Sequence, residues 1–106
     1  MVVEAVSVKD MIAYQEGAVV SKEVLKKPTG TVTIFAFDSG QGLSEHTAPF
    51  DAVVQVLDGT ATLTIGGKTV SVRAGELTLM PANVPHGVQA AGRFKMLLTM
   101  FKTPAK

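Results

Sequence analysis

The chain has 106 residues, of which 46% are hydrophobic and 18% charged, with a formal net charge of +1 at pH 7. This length suffices for one domain with a real core and not for two, and so small a net charge, without a basic stripe, argues against a nucleic-acid partner. The chain has no cysteine, which excludes disulfides and thiolate metal sites, and it has no apolar segment as long as a membrane span, so we expect a cytoplasmic protein without membrane contact.

The N-terminal third predicts a turn followed by two strands. Ser7, with Asp10 three residues later, indicates a short helical turn. Residues 18–26 predict a strand with one wet face, so we expect residues 1–29 to form a turn and an edge strand packed on a barrel of residues 30–106. The β-branched and aromatic run at 31–38 is typical of a central strand.

Glycines break the chain at residues 39–43, and short strands follow. Thr alternates with Ala, Leu and Ile over Thr60–Ile65, which marks one face in and one face out. Gly66 and Gly67 form a two-residue hairpin signal. The strands predicted after the break cover residues 52–58, 60–65, 68–72, 77–80, 86–91 and 93–101. Regular short strands with glycine turns predict an all-β sandwich or barrel.

The sparse charge predicts a homodimer. Charged residues fall below the quarter that is usual in a globular domain. A small domain with so few charges is expected to bury part of its surface against a second copy. The strand at residues 18–26 is a candidate for addition to the neighbour's sheet edge.

The two histidines lie in two glycine-bounded blocks. The first block runs from Gly40 through His46 to Gly59, with the sequence GQGLSEHTAPFDAVVQVLDG. The second begins at Gly75 and contains His86, with the sequence GELTLMPANVPHGVQA. If the strands close into one small barrel, both imidazoles can face the same hollow, which is how β-barrels build metal or ligand sites.

The two blocks resemble, in their spacing, the two motifs of the cupin family. The first cupin motif places His-x-His and a Glu between two glycines, and His46, Ala48 and Ala52 stand in those three slots. The second motif contains Pro-x-Gly and a His, where this chain has Asn83 and His86; Asn tolerates the positive φ of such a turn. The resemblance implies a double-stranded β-helix, the jelly-roll barrel of cupins. It implies no single activity, because cupins include oxygenases, isomerases, sugar-binding proteins and storage proteins.

The resemblance also implies a metal site that is half complete. Cupin metal sites usually hold three histidines and a glutamate, and Ala48 and Ala52 cannot ligate. His46 and His86 remain as candidate ligands for a divalent metal such as Zn, Fe, Ni or Mn, bound weakly because an open site needs about three protein ligands. The alternative is a pocket without metal, in which the imidazoles bind neighbouring groups or a small polar ligand.

Three other polar residues are candidates for the pocket or for contacts that orient the histidines. Adjacent side chains on a strand face opposite ways, so Glu45 reaches the pocket only from a loop or bulge, and Asp51 only if a bulge turns it inward. Each can instead cap a turn or form an ion pair at the rim. Gln55 lies in an apolar strand and is expected to face outward, toward the other layer, a partner subunit or water.

The remaining candidates carry less chemistry. Met80, Met96 and Met100 either line a flexible apolar pocket or fill the core, which is the commoner role of methionine in strands. No serine completes a set with a histidine and an acid.

Three functions therefore stay open. A metal-dependent enzyme needs a third ligand near the two histidines. A protein that binds or senses a small molecule needs a cavity without metal. A dimeric structural or accessory protein needs neither, because its barrel is mostly filled.

Overall fold

The computed structural model describes residues 4–102, which form two antiparallel sheets preceded by one turn of 3-10 helix, Val8–Met11. The strands within these residues are β1 (Val19–Lys27), β2 (Gly30–Phe37), β3 (Gly42–His46), β4 (Asp51–Asp58), β5 (Thr60–Ile65), β6 (Lys68–Arg73), β7 (Leu77–Met80), β8 (His86–Gln89) and β9 (Phe94–Phe101). The strand order is β1-β2-β9-β4-β7 in the first sheet and β3-β8-β5-β6 in the second. The all-β prediction is confirmed.

Strand β3 is the main departure from the elements predicted along the chain. The glycines at residues 39–43 were expected to break the chain, yet β3 begins at Gly42. A Cβ atom at Gly42 would lie 2.5 Å from the carbonyl oxygen of Val88 on β8. Gly42 is therefore a strand residue that lets two backbones approach closely, a role that the sequence does not distinguish from a turn.

The core lies between the two sheets and follows the alternation of the strands. Along β4, Ala52, Val54 and Val56 are buried while Gln55 is exposed. The rings of Phe37 and Phe94 are fully buried and stack with centroids 4.5 Å apart. Offset stacking of this kind adds to the free energy gained from burying the rings.

The N-terminal segment packs on the outer face of the five-stranded sheet. Ile12 is buried there against Ile34 and Ala36 of β2. The helical turn follows Ser7 as predicted, although the Ser7 side chain makes no capping hydrogen bond. Strand β1 pairs along its length with β2. The division at residues 29 and 30 stays a prediction, and its outer ends, residues 1–3 and 103–106, lie outside the described residues.

Within residues 4–102, no helix has the length and apolar character needed to cross a bilayer.

Candidate functional site

The fold brings the two histidines together. His46 at the end of β3 is the register partner of His86 at the start of β8. Their ring centroids lie 4.4 Å apart and the ring planes meet at 65°. His86 is buried, with 8% of its surface exposed, whereas His46 is exposed. His46 therefore lies nearer the solvent, and His86 lies deeper.

A bulge in β3 decides which side chains accompany them. Leu43 pairs with Val88 and His46 with His86, so three steps on β3 face two steps on β8. The extra residue puts Leu43 and His46 on the same side, where both line a cavity. Glu45 is exposed and is not among the side chains that line this cavity. The bulge thus excludes Glu45, although a bulge was the condition under which we expected it to enter.

Backbone carbonyls orient both imidazoles in the same way. Nδ1 of His46 lies 3.0 Å from the carbonyl oxygen of Ser44, and Nδ1 of His86 lies 3.2 Å from that of Val84. A carbonyl oxygen only accepts hydrogen bonds, so each Nδ1 carries the proton and donates. In a neutral ring Nε2 is then an acceptor, available to a ligand or a metal ion.

The cavity between the sheets is small and has mostly apolar walls. Its volume is about 210 Å³. The two imidazoles are the polar side chains in its lining, and Ala48 and Ala52, which stand in the empty ligand slots, both line it. The other lining residues are apolar: Phe35, Leu43, Phe50, Met80, Val88, Met96, Leu98 and Met100.

The donor set does not fit a resident divalent metal. Within residues 4–102, no three His, Cys, Asp or Glu side chains form a group that could hold a metal ion. A catalytic zinc site uses about three such ligands plus water, and His46 and His86 supply two. Divalent-metal binding through this pair stays a prediction.

Asp51 acts on the loop that leads to β8 and does not line the cavity. Its Oδ1 accepts a hydrogen bond of 2.8 Å from the backbone N–H of Ala82. The N–H of Asn83 donates to the carbonyl oxygen of Ala48, also at 2.8 Å, and Asn83 has φ 64°. The positive φ matches the turn expected from its motif position. Asp51 thus caps a turn, the alternative that the sequence left open.

Gln55 lies on the outer face of the five-stranded sheet. It is exposed and stands in register between Leu77 on β7 and Leu97 on β9. Like Glu45 and Asp51, it is absent from the cavity lining. The pocket interpretation of these three residues therefore gains no support from the structure.

Two methionines occupy positions whose importance the sequence did not reveal. Ala52 on β4 is flanked in register by Met80 on β7 and by Met100 on β9. All three residues line the cavity. The alternation of each strand places Met80 and Met100 inward, but only strand pairing shows that both lie beside Ala52.

A second polar cluster, which we call the Tyr14 cluster, lies on the outside and comprises Tyr14, Asp58, Arg93, Lys95 and Asp38. The Tyr14 hydroxyl donates to Oδ2 of Asp58 at 2.5 Å. Arg93 Cζ lies 5.3 Å and Lys95 Nζ 5.0 Å from the centre of the Tyr14 ring, within the range of cation–π attraction. Arg93 Nε donates to Oδ1 of Asp38 at 2.7 Å.

The contacts of the Tyr14 cluster change its protonation equilibria. Burial, followed by the hydrogen bond to Asp58, raises the pKa of Tyr14 well above its ordinary value of 10.0. The backbone N–H of Gly17 and then the Arg93 guanidinium lower the pKa of Asp38. At neutral pH the phenol is therefore protonated and Asp38 is charged, so the cluster keeps its hydrogen bonds.

Comparison with known proteins decides the family. The profile described as Cupin domain matches residues 33–101. The chain belongs to the cupin family. The fold is accordingly the double-stranded β-helix that the motif spacing predicted.

Relatives of this cupin share its fold across most of the chain. It is similar to a conserved Streptococcus pyogenes protein of unknown function, with 30% identity, a TM-score of 0.93, and coverage of 99% of this chain and 92% of that one. A Leptotrichia buccalis cupin 2 conserved barrel domain protein is 43% identical with a TM-score of 0.86, over 89% of this chain and 46% of the other. This cupin thus aligns with less than half of the Leptotrichia chain. An uncharacterised Streptomyces coelicolor protein is 28% identical over 82 residues, which are 77% of this chain and 78% of that one.

Proposed function

We propose that this cupin is a non-catalytic binding protein for a small, largely apolar molecule that carries one polar group. The observation that carries the proposal is a cavity with apolar walls in which two imidazoles are fixed through Nδ1. A binding site of this composition typically holds the body of a ligand by burial and its orientation by a few polar contacts.

The volume limits the size of the ligand. An apolar cavity of about 150 Å³ accommodates benzene. The cavity of about 210 Å³ therefore suits a benzene-sized or short branched aliphatic body with one substituent. A hydroxyl substituent donates to Nε2 of His46 or His86, and a carboxylate pairs with either ring once that ring is protonated.

The lining offers little for catalysis. It contains no Ser, Thr, Cys, Lys, Asp or Glu side chain, so no nucleophile or second acid–base group faces the imidazoles within the described residues. Asp51, the nearest acid by sequence to the empty ligand slot, accepts a hydrogen bond from Ala82. General acid–base and covalent catalysis both depend on such partners at hydrogen-bonding distance.

The test is calorimetric titration with phenol, benzyl alcohol, benzoate and isovalerate. We expect one of these to bind with one molecule per chain. Ala52→Leu fills the cavity and should abolish binding, while His86→Ala removes a hydrogen bond and should weaken it about tenfold. Gln55→Ala, on the outer face, is the control and should bind as the wild type does. Equal binding by Ala52→Leu, or no binding of any probe by the wild type, would contradict the proposal.

A cytoplasmic location and homodimer formation stay predictions of this cupin's sequence. Neither is required for ligand binding in the cavity.

A further inference from the structure

The cavity contains a second kind of donor besides the imidazoles. Met80 and Met100 are the cross-strand partners of Ala52 on its two sides, and cross-strand partners project to the same face of a sheet. Their thioethers therefore share the cavity with His46 and His86. The glutamate slot of the cupin motif is thus an alanine between two sulfur-bearing side chains.

Electrostatics favours a monovalent ion over a divalent one in this setting. The thioethers are neutral, neutral imidazoles ligate metals, and no carboxylate lines the cavity. The Born cost of removing an ion from water rises with the square of its charge, so it is about four times larger for a 2+ ion than for a 1+ ion of equal size. Without an anionic ligand, a divalent ion recovers little of that cost.

Ligand softness points in the same direction. Thioether and thiolate sulfur select Cu(I) among biological metal ions, and imidazole is also a good ligand for copper. Methionine sulfur needs no deprotonation to ligate, unlike cysteine. Two imidazoles and two thioethers are thus a neutral donor set suited to a soft monovalent cation.

We propose that the cavity binds one Cu(I) ion through His46, His86, Met80 and Met100. This property goes beyond the proposed binding of small molecules. Because the ion and a small ligand both use Nε2 of the histidines, they exclude each other.

The first experiment measures ion selectivity on the intact chain. Ag(I) serves as a redox-inert probe, and Cu(I) is kept reduced with ascorbate without oxygen in competition with a colorimetric Cu(I) chelator. We expect one Ag(I) or Cu(I) per chain, with Zn(II) at least about tenfold weaker because its ligand preference is less soft. Absence of one-to-one binding, or tighter binding of Zn(II), overturns the proposal.

Matched variants test the sulfur donors. The double variant Met80→Leu, Met100→Leu keeps volume and apolar character, so it should fold. Its Cu(I) affinity should fall at least about tenfold, the smaller loss found even for residues that only support ligands. Met11→Leu, the same change in the cluster on the outer face, should bind Cu(I) as the wild type does. Wild-type Cu(I) affinity in the double variant overturns the proposal.

The same variants separate this proposal from the proposed function. Met80→Leu, Met100→Leu should retain small-molecule binding, because leucine preserves the apolar wall. His86→Ala should weaken both the ion and the small molecule.

A spectroscopic readout needs no mutation. With methionine labelled by ¹³C at the methyl group, Ag(I) should shift the Met80 and Met100 signals and leave the Met11 signal in place. One-to-one binding that leaves the Met80 and Met100 methyl signals unchanged overturns the assignment of sulfur ligands.

Discussion

The cavity histidines and the Tyr14 cluster are two polar sites on opposite faces of the same five-stranded sheet, and they differ in how their hydrogen bonds are used. In the Tyr14 cluster each polar side chain meets another group of the protein: Tyr14 meets Asp58, and Arg93 meets Asp38. In the cavity, each imidazole is bound at Nδ1 by its own chain. The outer cluster fastens the N-terminal segment, whereas the inner pair holds Nε2 for something that enters.

Lys95 illustrates the fastening role. Its Nζ donates to the backbone carbonyl of Lys9 at 2.6 Å while it lies over the Tyr14 ring. Asp38 accepts both from Arg93 and from the N–H of Gly17 at 2.7 Å. These contacts join residues far apart in the chain, so they act on stability and not on a ligand. The following changes test this division of roles.

Ala48→His should complete the inner site. Ala48 lines the cavity and its carbonyl is fixed by the N–H of Asn83, so a third imidazole enters from an ordered position. We expect Zn(II) or Ni(II) affinity to rise about hundredfold, about 2.7 kcal/mol, because three protein ligands meet the usual requirement of an open site. Calorimetry measures the change, with Ala48→Leu as the control for bulk. If both variants bind the metal equally weakly, the third imidazole does not reach the site.

Tyr14→Ala should lower stability without changing the cavity. The variant loses ring packing, two cation–π contacts and the hydrogen bond to Asp58. For a half-buried tyrosine we expect a loss of about 2 kcal/mol in the free energy of unfolding, measured by urea denaturation. Ligand or Ag(I) affinity should stay within about twofold of wild type at a temperature where both proteins are folded. A tenfold fall in affinity would show that the two sites are coupled.

Tyr14→Phe should give a smaller loss that depends on pH. At pH 7 the missing hydrogen bond costs about 1 kcal/mol. Because the folded pKa of Tyr14 is raised above 10.0, the unfolded chain releases the phenolic proton first as pH rises. The stabilisation is therefore complete below pH 10 and is lost as pH rises through the folded pKa.

The measurement is urea denaturation of both proteins from pH 7 to pH 11. The gap in stability between wild type and Tyr14→Phe should be constant up to pH 9 and narrow above pH 10. A gap that widens above pH 10 would contradict the assignment of the raised pKa to this hydroxyl.

The predicted homodimer concerns the edges of the same sheet. Strand β1, predicted as the dimer edge, has three lysines and a bulge between Glu23 and Leu25, features that discourage edge pairing. At the other edge, Leu77 and Leu79 of β7 are 61% and 60% exposed, and Phe101 of β9 adds to the apolar surface. We expect the dimer to use the β7 side.

Leu79→Lys should give a monomer in light scattering at micromolar concentration while changing the stability of the chain by less than about 0.5 kcal/mol. Leu25→Lys on β1 is the control and should stay dimeric. A dimer that dissociates only with Leu25→Lys would return the interface to β1, and a monomeric wild type would exclude the dimer.

Much of the fold was predictable from local patterns. Thr60–Ile65 and Leu77–Met80 were predicted with their observed bounds, because alternation and turn residues act over a few neighbours. The motif spacing likewise predicted the barrel. The bulge that excludes Glu45 was not fixed by local pattern, because it depends on the pairing of β3 with β8.

The sequence by itself determined that there are two histidines, that alanines stand in two ligand slots, and that the chain forms short alternating strands. Only the tertiary structure decided that Met80 and Met100 flank Ala52, and that Tyr14 meets Asp58 across 44 positions of the chain. The physical reason is that side-chain alternation specifies a face, whereas a neighbour on that face is specified by register. Register is set by how distant strands pair once the core has formed.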